Sequence, residues 1–175
     1  MKCLVTGANG FVGRALCQRL GAEGWQVIAL GRSGTPLPDG TATIPFDLTA
    51  RNFDAALLTA VDVVFHLAGI AHQQAAARDY EAVNHQGTLR LAHLAAEAGV
   101  GCFVYLSSVK AMGSAAGPAA REEGDVVPPT DPYGVSKWRA ECDLRAAFTG
   151  AAMAVRILRP ALVYGPGVKG NLQTL

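Results

Sequence analysis

The chain has 175 residues, half of them hydrophobic and 17% charged, with a formal net charge of +1. A length of this order suits one domain that can bury most of its unfolded apolar surface, and the composition excludes disorder in favour of strands covered on both faces. The near-neutral balance, with no run of Lys or Arg, excludes an electrostatic footprint for nucleic acid.

The elements follow one another in a strand–helix alternation. Lys2–Thr6 reads as a strand, and residues 11–23 as a helix with Val12, Leu16 and Leu20 on one face, closed by Gly24. A strand over 25–30 gives way to a turn-rich stretch marked by Gly31, Gly34, Pro36, Pro38 and Gly40. A strand over 41–46 and a short helix over 50–58, begun by Asp47-Leu48-Thr49, come next. The apolar run 61–67 is typical of a central parallel strand. Residues 79–98 repeat apolar positions at Tyr80, Val83, Leu91, Leu94 and Ala98, a helix closed by Gly99. Cys102–Leu106 is a strand, 131–148 a helix and 153–158 the last strand. The irregular stretch 113–130 is rich in Ala, Gly and Pro, then acidic, and reads as a mobile edge of a site rather than a domain boundary. This succession predicts one α/β domain over 1–175, a right-handed, doubly wound parallel sheet with its ligand crevice at the carboxyl ends of the strands.

The four cysteines, Cys3, Cys17, Cys102 and Cys142, have neither CxxC spacing nor the density of a secreted scaffold. They are expected to be reduced packing residues of a cytosolic protein. Gly7, Asn9 and Gly10 interrupt any N-terminal apolar run, and the segment 55–71 carries Asp62 and His66, so a soluble, untargeted chain with no membrane partner is expected.

Two motifs carry chemistry. Thr6-Gly7-Ala8-Asn9-Gly10-Phe11-Val12-Gly13 lies between the first strand and the first helix. There Gly7 permits a tight turn, Gly10 lets backbone N–H groups approach a pyrophosphate and Gly13 lets the helix pack closely on the strand. The positive end of that helix then faces the phosphates. Further on, Tyr133 and Lys137 are spaced i and i+4 and share a helix face. Among the four tyrosines only Tyr133 has a lysine four residues on.

Taken together, the glycine motif, His66-Leu67-Ala68-Gly69, Val83-Asn84, Ser107-Ser108, Pro132-Tyr133-Gly134-Val135-Ser136-Lys137, Leu158-Arg159-Pro160 and Val163-Tyr164-Gly165-Pro166-Gly167 resemble the extended short-chain dehydrogenase/reductases. More narrowly they resemble the NAD-dependent epimerase/dehydratase family acting on nucleotide sugars, and the resemblance runs in order from Met1 to the end. Ser107-Ser108-Val109-Lys110 and Gly165-Pro166-Gly167-Val168-Lys169-Gly170-Asn171 are similar to bacterial UDP-N-acetylhexosamine 4-epimerases and UDP-hexulose 4-reductases of surface-polysaccharide pathways.

The resemblance implies a Rossmann fold whose smaller C-terminal substrate domain is largely missing, in a fragment or truncated product whose cofactor binding outlasts its turnover. It implies NAD or NADP as cofactor, a UDP-hexose as nucleotide-sugar partner, no metal, and a homodimer through the helices over 79–98 and 131–148. It places Gly7, Asn9, Gly10, Phe11, Val12 and Gly13 around the pyrophosphate, Asp47 and Leu48 beside the adenine, and Leu67, Ala68 and Gly69 under the ribose and pyrophosphate. Asn84 would contact the cofactor and the helix bearing Tyr133. Pro160, Tyr133 and Lys137 would also touch the cofactor. His66 is expected to be satisfied by backbone at a strand end, and Ser107 likewise, neither with a catalytic role.

The chemistry implied is hydride transfer from a sugar C4, with Ser108, Tyr133 and Lys137 as catalytic residues. As the carbonyl forms, a base must take the C4 hydroxyl proton. An unperturbed phenol ionises near pH ~10, so a phenolate base at neutral pH needs roughly 4 kcal/mol of added stabilisation. One ammonium at ~4 Å, at an effective dielectric of ~20, supplies about that much, which is the part expected of Lys137. Ser108 would hold the reacting oxygen.

One departure concerns the cofactor. NAD-specific members carry a carboxylate at the end of the second strand for the ribose diol, whereas here Leu30 is followed by Gly31 and Arg32. Arg32 could bind a 2′-phosphate bidentately, so NADP(H) is expected at least as good as NAD(H). Val109-Lys110 stands where dehydratases place an acidic pair, which disfavours dehydration. A UDP-hexose 4-epimerase, an NADPH-dependent UDP-4-keto-hexose 4-reductase and a non-catalytic NAD(P)-binding sensor remain as readings, the Tyr–Lys pair counting against the last.

Overall fold

A computed structural model describes residues 1–50, 52–71, 75–114, 121–125 and 127–165. Six strands, β1 (Lys2–Thr6), β2 (Gln26–Gly31), β3 (Thr43–Pro45), β4 (Val63–His66), β5 (Cys102–Leu106) and β6 (Ala154–Leu158), form one sheet in the order β3-β2-β1-β4-β5-β6. Every pairing is parallel. The chain starts at the centre, winds outward through β2 and β3, then returns to the other side of β1 at β4. That reversal opens a crevice between the carboxyl ends of β1 and β4.

Strand periodicity divides the sheet into two buried faces. Cys3, Val5 and Ala29 face α1 (Phe11–Ala22), where Ala8, Cys17 and Leu20 complete one core. Leu4, Leu30, Val64, Phe103 and Tyr105 face the opposite way, against Leu91, Ala92 and Ala95 of one helix and Ala140 and Leu144 of another. β1 lies between both layers, with Cys3 through Thr6 fully buried, which is why it reads as a continuous apolar run rather than an alternation.

The two helices on that second face are α2 (77–97) and α3 (Pro132–Phe148). α2 consists of a first turn Ala77–Tyr80, a π-helical stretch Glu81–Gly87 and an α-helix Thr88–Glu97. The expected helix over 79–98 is therefore present, begins earlier and contains a widened turn that apolar spacing does not reveal. Gly99, with φ +79°, follows its last turn. α3 begins with Asp131 accepting from Gly134 N–H at 2.9 Å and Pro132 in its first turn.

The helix expected over 50–58 is a correction. Among the described residues helical backbone there is confined to a 3-10 turn, Ala55–Leu58, capped by Asp54 accepting from Ala56 N–H. Asp47 instead folds back on Thr49, accepting from its N–H and its hydroxyl at 2.8 Å each, and such an Asx turn competes with helix initiation.

All four cysteines are free, and burial pushes the Cys3 and Cys17 thiols up to about 11. Among the described residues no helix is long and apolar enough to cross a membrane.

Candidate active site and dinucleotide cradle

β1 ends at Thr6 and the chain turns through Gly7 at φ +69°, a left-handed conformation that a side chain disfavours. A methyl group added there would stand 2.8 Å from the Ala68 nitrogen, and one added to Gly13 would stand 2.2 Å from the Gly7 carbonyl oxygen. These two glycines set how closely α1 and the segment Leu67-Ala68-Gly69 approach β1. Gly10 precedes α1 in extended conformation, with no side-chain cap and no acidic residue in the first turn. Unneutralised N–H groups at the start of a 12-residue helix suit a phosphate, so the residues present fit a dinucleotide.

Strand register places three polar side chains in one row behind this turn. Thr6 pairs with His66, and His66 with Tyr105, all facing α2 at the carboxyl ends of β1, β4 and β5. Thr88 donates its hydroxyl to the Asn84 carbonyl at 2.7 Å, so its oxygen accepts from His66 Nε2 at 2.9 Å. His66 Nδ1 in turn accepts from the Thr6 hydroxyl at 2.7 Å, whose oxygen accepts from Ala68 N–H at 3.2 Å. Complete burial, with Lys137's charge adding, brings the imidazole down to about 3 and keeps it neutral, as this directed chain requires. His66 lies flat on Tyr105, ring centroids 5.9 Å apart.

Asn84 is fully buried in the π-helical stretch. Its carboxamide accepts from Ile70 N–H at 2.8 Å and donates to Ile70 O at 2.9 Å and Ser136 Oγ at 3.2 Å. It thereby joins the segment after β4 to α3. A methyl group on Gly69 would meet Asn84 Oδ1 at 2.8 Å and Lys137 Nζ at 3.4 Å, so the absence of a side chain lets three elements converge.

Lys137 is buried. Its ammonium donates to Leu106 O at 2.9 Å and lies 4.7 Å from the Tyr105 ring centre. Burial lowers it to about 8, with Glu141 opposing. Tyr133, one turn earlier on α3, is half-buried, edge-on to Tyr80 at 6.0 Å, with Ser108 against its hydroxyl. Burial raises the phenol, Ser108 tempers the rise, and Asp131 and Tyr80 add to it. The phenol thus stands above its ordinary value rather than below it, and the Lys137 ammonium donates to the Leu106 carbonyl.

Beneath this face lies an ion pair that the sequence reading missed. Glu141, fully buried, accepts from Arg159 Nε at 2.9 and 3.0 Å and Nη2 at 2.5 Å, and from the Ser107 hydroxyl at 2.5 Å. Ser107 is therefore satisfied by a carboxylate, not by strand-end backbone. His66 likewise is held by two hydroxyls rather than by backbone. A signal existed: Tyr133, Lys137 and Glu141 recur at i, i+4 and i+8, one face of α3.

The glycine turn, Leu67, Ala68, Gly69, Asn84, Ser108, Tyr133 and Lys137 thus gather around the crevice. Pro160 stands nearby, its carbonyl accepting from Val109 N–H at 3.1 Å next to Ser108. Phe11 and Val12 open α1 half-buried. Arg32, Asp47 and Leu48 form a separate wing beyond β2 and β3. There the two Thr49 bonds hold the Asp47 carboxyl below its usual range, with Arg32 and Arg90 contributing through space. Leu48 is buried and Arg32 exposed. The motif residues Pro166, Gly167, Val168, Lys169, Gly170 and Asn171, and residues 115–120 and 126 of the stretch 113–130, lie outside the described residues; Arg121 of that stretch donates to the carbonyls of Gly113, Met112 and Asp125.

A Rossmann domain with a Tyr–Lys pair beside its glycine turn defines a class, and comparison with known proteins narrows it. The profile of the NAD dependent epimerase/dehydratase family matches residues 3–174, and the chain belongs to that family. It is 35% identical to a UDP-glucose 4-epimerase of Vibrio cholerae over 98% of this chain and 55% of that protein. It is also 35% identical to a 2-alkyl-3-oxoalkanoate reductase of Stenotrophomonas maltophilia, over 95% of this chain and 52% of that one. Among solved structures, MoeE5 in complex with UDP-glucuronic acid and NAD superimposes with a TM-score of 0.85 at 35% identity, covering 98% of this chain and 58% of that one. The chain spans about half the length of the curated relatives it matches.

Proposed function

We propose that this chain carries the cofactor-binding and proton-transfer apparatus of an NAD(P)-dependent enzyme that oxidises a nucleotide sugar at C4, of the UDP-hexose 4-epimerase type. The observation that supports it most is Tyr133 half-buried beside Ser108 on the same helix as buried Lys137, with Asn84 and Gly69 closing against that lysine. A bound nicotinamide supplies the hydride acceptor and a positive charge. Tyr133 receives the C4 hydroxyl proton as the carbonyl forms, and Ser108 donates to the reacting oxygen. Lys137 holds its charge behind the phenol, and Asn84 with Ser136 fixes the pitch of α3. Because burial raises the free phenol, its activation belongs to the cofactor-bound state.

Replacing Tyr133 with Phe tests this. Interconversion of UDP-hexoses at C4 should fall by at least about 100-fold, the scale of acid–base catalysis, while calorimetric affinity for the dinucleotide stays unchanged. Retained turnover would exclude Tyr133 as the base, and a Tyr133→Phe chain that loses dinucleotide affinity would show that the phenol serves binding rather than proton transfer.

A 4-reductase using NADPH is the second reading, favoured by one observation: β2 ends in Gly31 followed by exposed Arg32, with no carboxylate. On this reading NADP(H) binds at least as well as NAD(H). An affinity tenfold or more in favour of NAD would defeat it.

A further inference from the structure

We propose that Asn9 is a positioning residue that sets which dinucleotide this chain accepts, by occupying the place a ribose-binding carboxylate would need at position 31. The inference rests on the dinucleotide reading above. Gly31 is the last residue of β2, adjacent to the turn after β1. A Cβ built on Gly31 would stand 1.7 Å from Asn9 Oδ1 and 2.9 Å from its Cγ. A carboxamide at the tip of a side chain could swing away, but this one is tied down. Its Nδ2 donates to Thr35 O at 2.7 Å. The same carbonyl accepts from the Thr43 hydroxyl at 2.8 Å, and the Thr35 hydroxyl bonds Ser33 Oγ at 2.8 Å. Asn9 therefore braces the turn 32–35, which carries Arg32, against the glycine loop.

Volume is half of the exclusion and charge the other half. Asn9 Oδ1 is buried and has no hydrogen-bond partner. A carboxylate introduced at position 31 would set acceptor against acceptor with no donor between them, a buried mismatch that is costly. Where relatives grip a ribose diol with a strand-end acid, this chain has filled the space with an amide and left Arg32 as the charged group at the ribose edge. Preference for the dinucleotide is then a property of the pair Asn9–Gly31, and the two positions should be non-additive.

The test is titration calorimetry of NADP+ and NAD+ against wild type, Gly31→Asp, Asn9→Gly and the double variant, with thermal melting of each. Gly31→Asp alone should weaken both dinucleotides at least tenfold or lower the melting temperature. Asn9→Gly alone should lower the NADP+/NAD+ affinity ratio by releasing the Arg32 turn. The double variant should regain the wild-type melting temperature and bind NAD+ at least tenfold more tightly than Gly31→Asp does, without regaining NADP+. If Gly31→Asp alone switches preference to NAD+ at undiminished affinity, or if the double variant is no better than Gly31→Asp, Asn9 plays no such part. Wild type that binds neither dinucleotide would overturn the reading beneath it as well.

Discussion

The glycine cradle and the floor of the acid–base face reach the same crevice by opposite means. Around Gly7, Gly13, Gly31 and Gly69 the site is shaped by atoms that are missing: each added methyl group would meet a neighbour within 3 Å. Under Tyr133 and Lys137 it is shaped by atoms that must be present, a buried carboxylate, a guanidinium and a hydroxyl that satisfy one another. The first region should fail when something is added, losing ligand affinity. The second should fail when something is removed, losing the fold.

The largest expected effect tests the second half of that contrast. Glu141→Ala removes the carboxylate shared by Arg159, whose side chain is 9% exposed, Arg145 and Ser107, and leaves Arg159 only the Glu123 carbonyl among the bonds described for it. Breaking a buried pair from one side costs about 3–5 kcal/mol. The urea midpoint should fall accordingly with an unchanged slope. A loss under about 1 kcal/mol would mean that the pair is solvated in solution and the contrast is unfounded.

Gly13→Ala tests the first half. Its Cβ would sit 2.2 Å from a backbone oxygen, which cannot rotate aside as a side chain could. Overpacking of this kind costs about 1–3 kcal/mol, and α1 should relieve it by moving off β1, so dinucleotide affinity measured by calorimetry should drop at least tenfold. Unchanged affinity would show that the turn is not the phosphate cradle.

The sequence revealed the cradle better than the floor, for a physical reason. Glycines at a strand–helix junction announce themselves locally, because the backbone conformation and close approach they permit belong to neighbouring residues. The parallel sheet was legible too, since β1 and Cys102–Leu106 are apolar runs of strand length. Partners distant in the chain were not. Nothing near Ser107 foretells Glu141, and nothing near Thr6 foretells His66, because strand register and helix placement bring them together. The π-helical stretch stayed hidden because its apolar spacing resembles an ordinary helix, although Asn84 inside a helix was a sign that the turn had special work. Asp47 misled in the other direction, its side chain serving a turn where a helix start was expected.

The smallest effect concerns the row that links the two regions, Thr6, His66 and Thr88. His66 has its ordinary pKa near ~6.5 in the unfolded chain and about 3 in the folded one, lowered by burial and by Lys137. Between those values the unfolded state binds a proton that the native state refuses. The stability that the neutral imidazole contributes is therefore complete above pH ~6.5 and is lost as the pH falls toward the folded value, at up to about 1.4 kcal/mol per pH unit. Its neighbours give no acid to offset this, since Thr6, Thr88 and Tyr105 are neutral there and Lys137 repels the proton. His66→Gln should start less stable at pH 7.5 yet show a flatter decline between pH 6.5 and 4.5 in urea denaturation. Parallel declines in both proteins would mean that the imidazole protonates without unfolding. The hydroxyl row could then no longer be the rigid tie between the glycine turn and α2, whose Asn84 in turn bonds Ser136 on the helix that carries Tyr133.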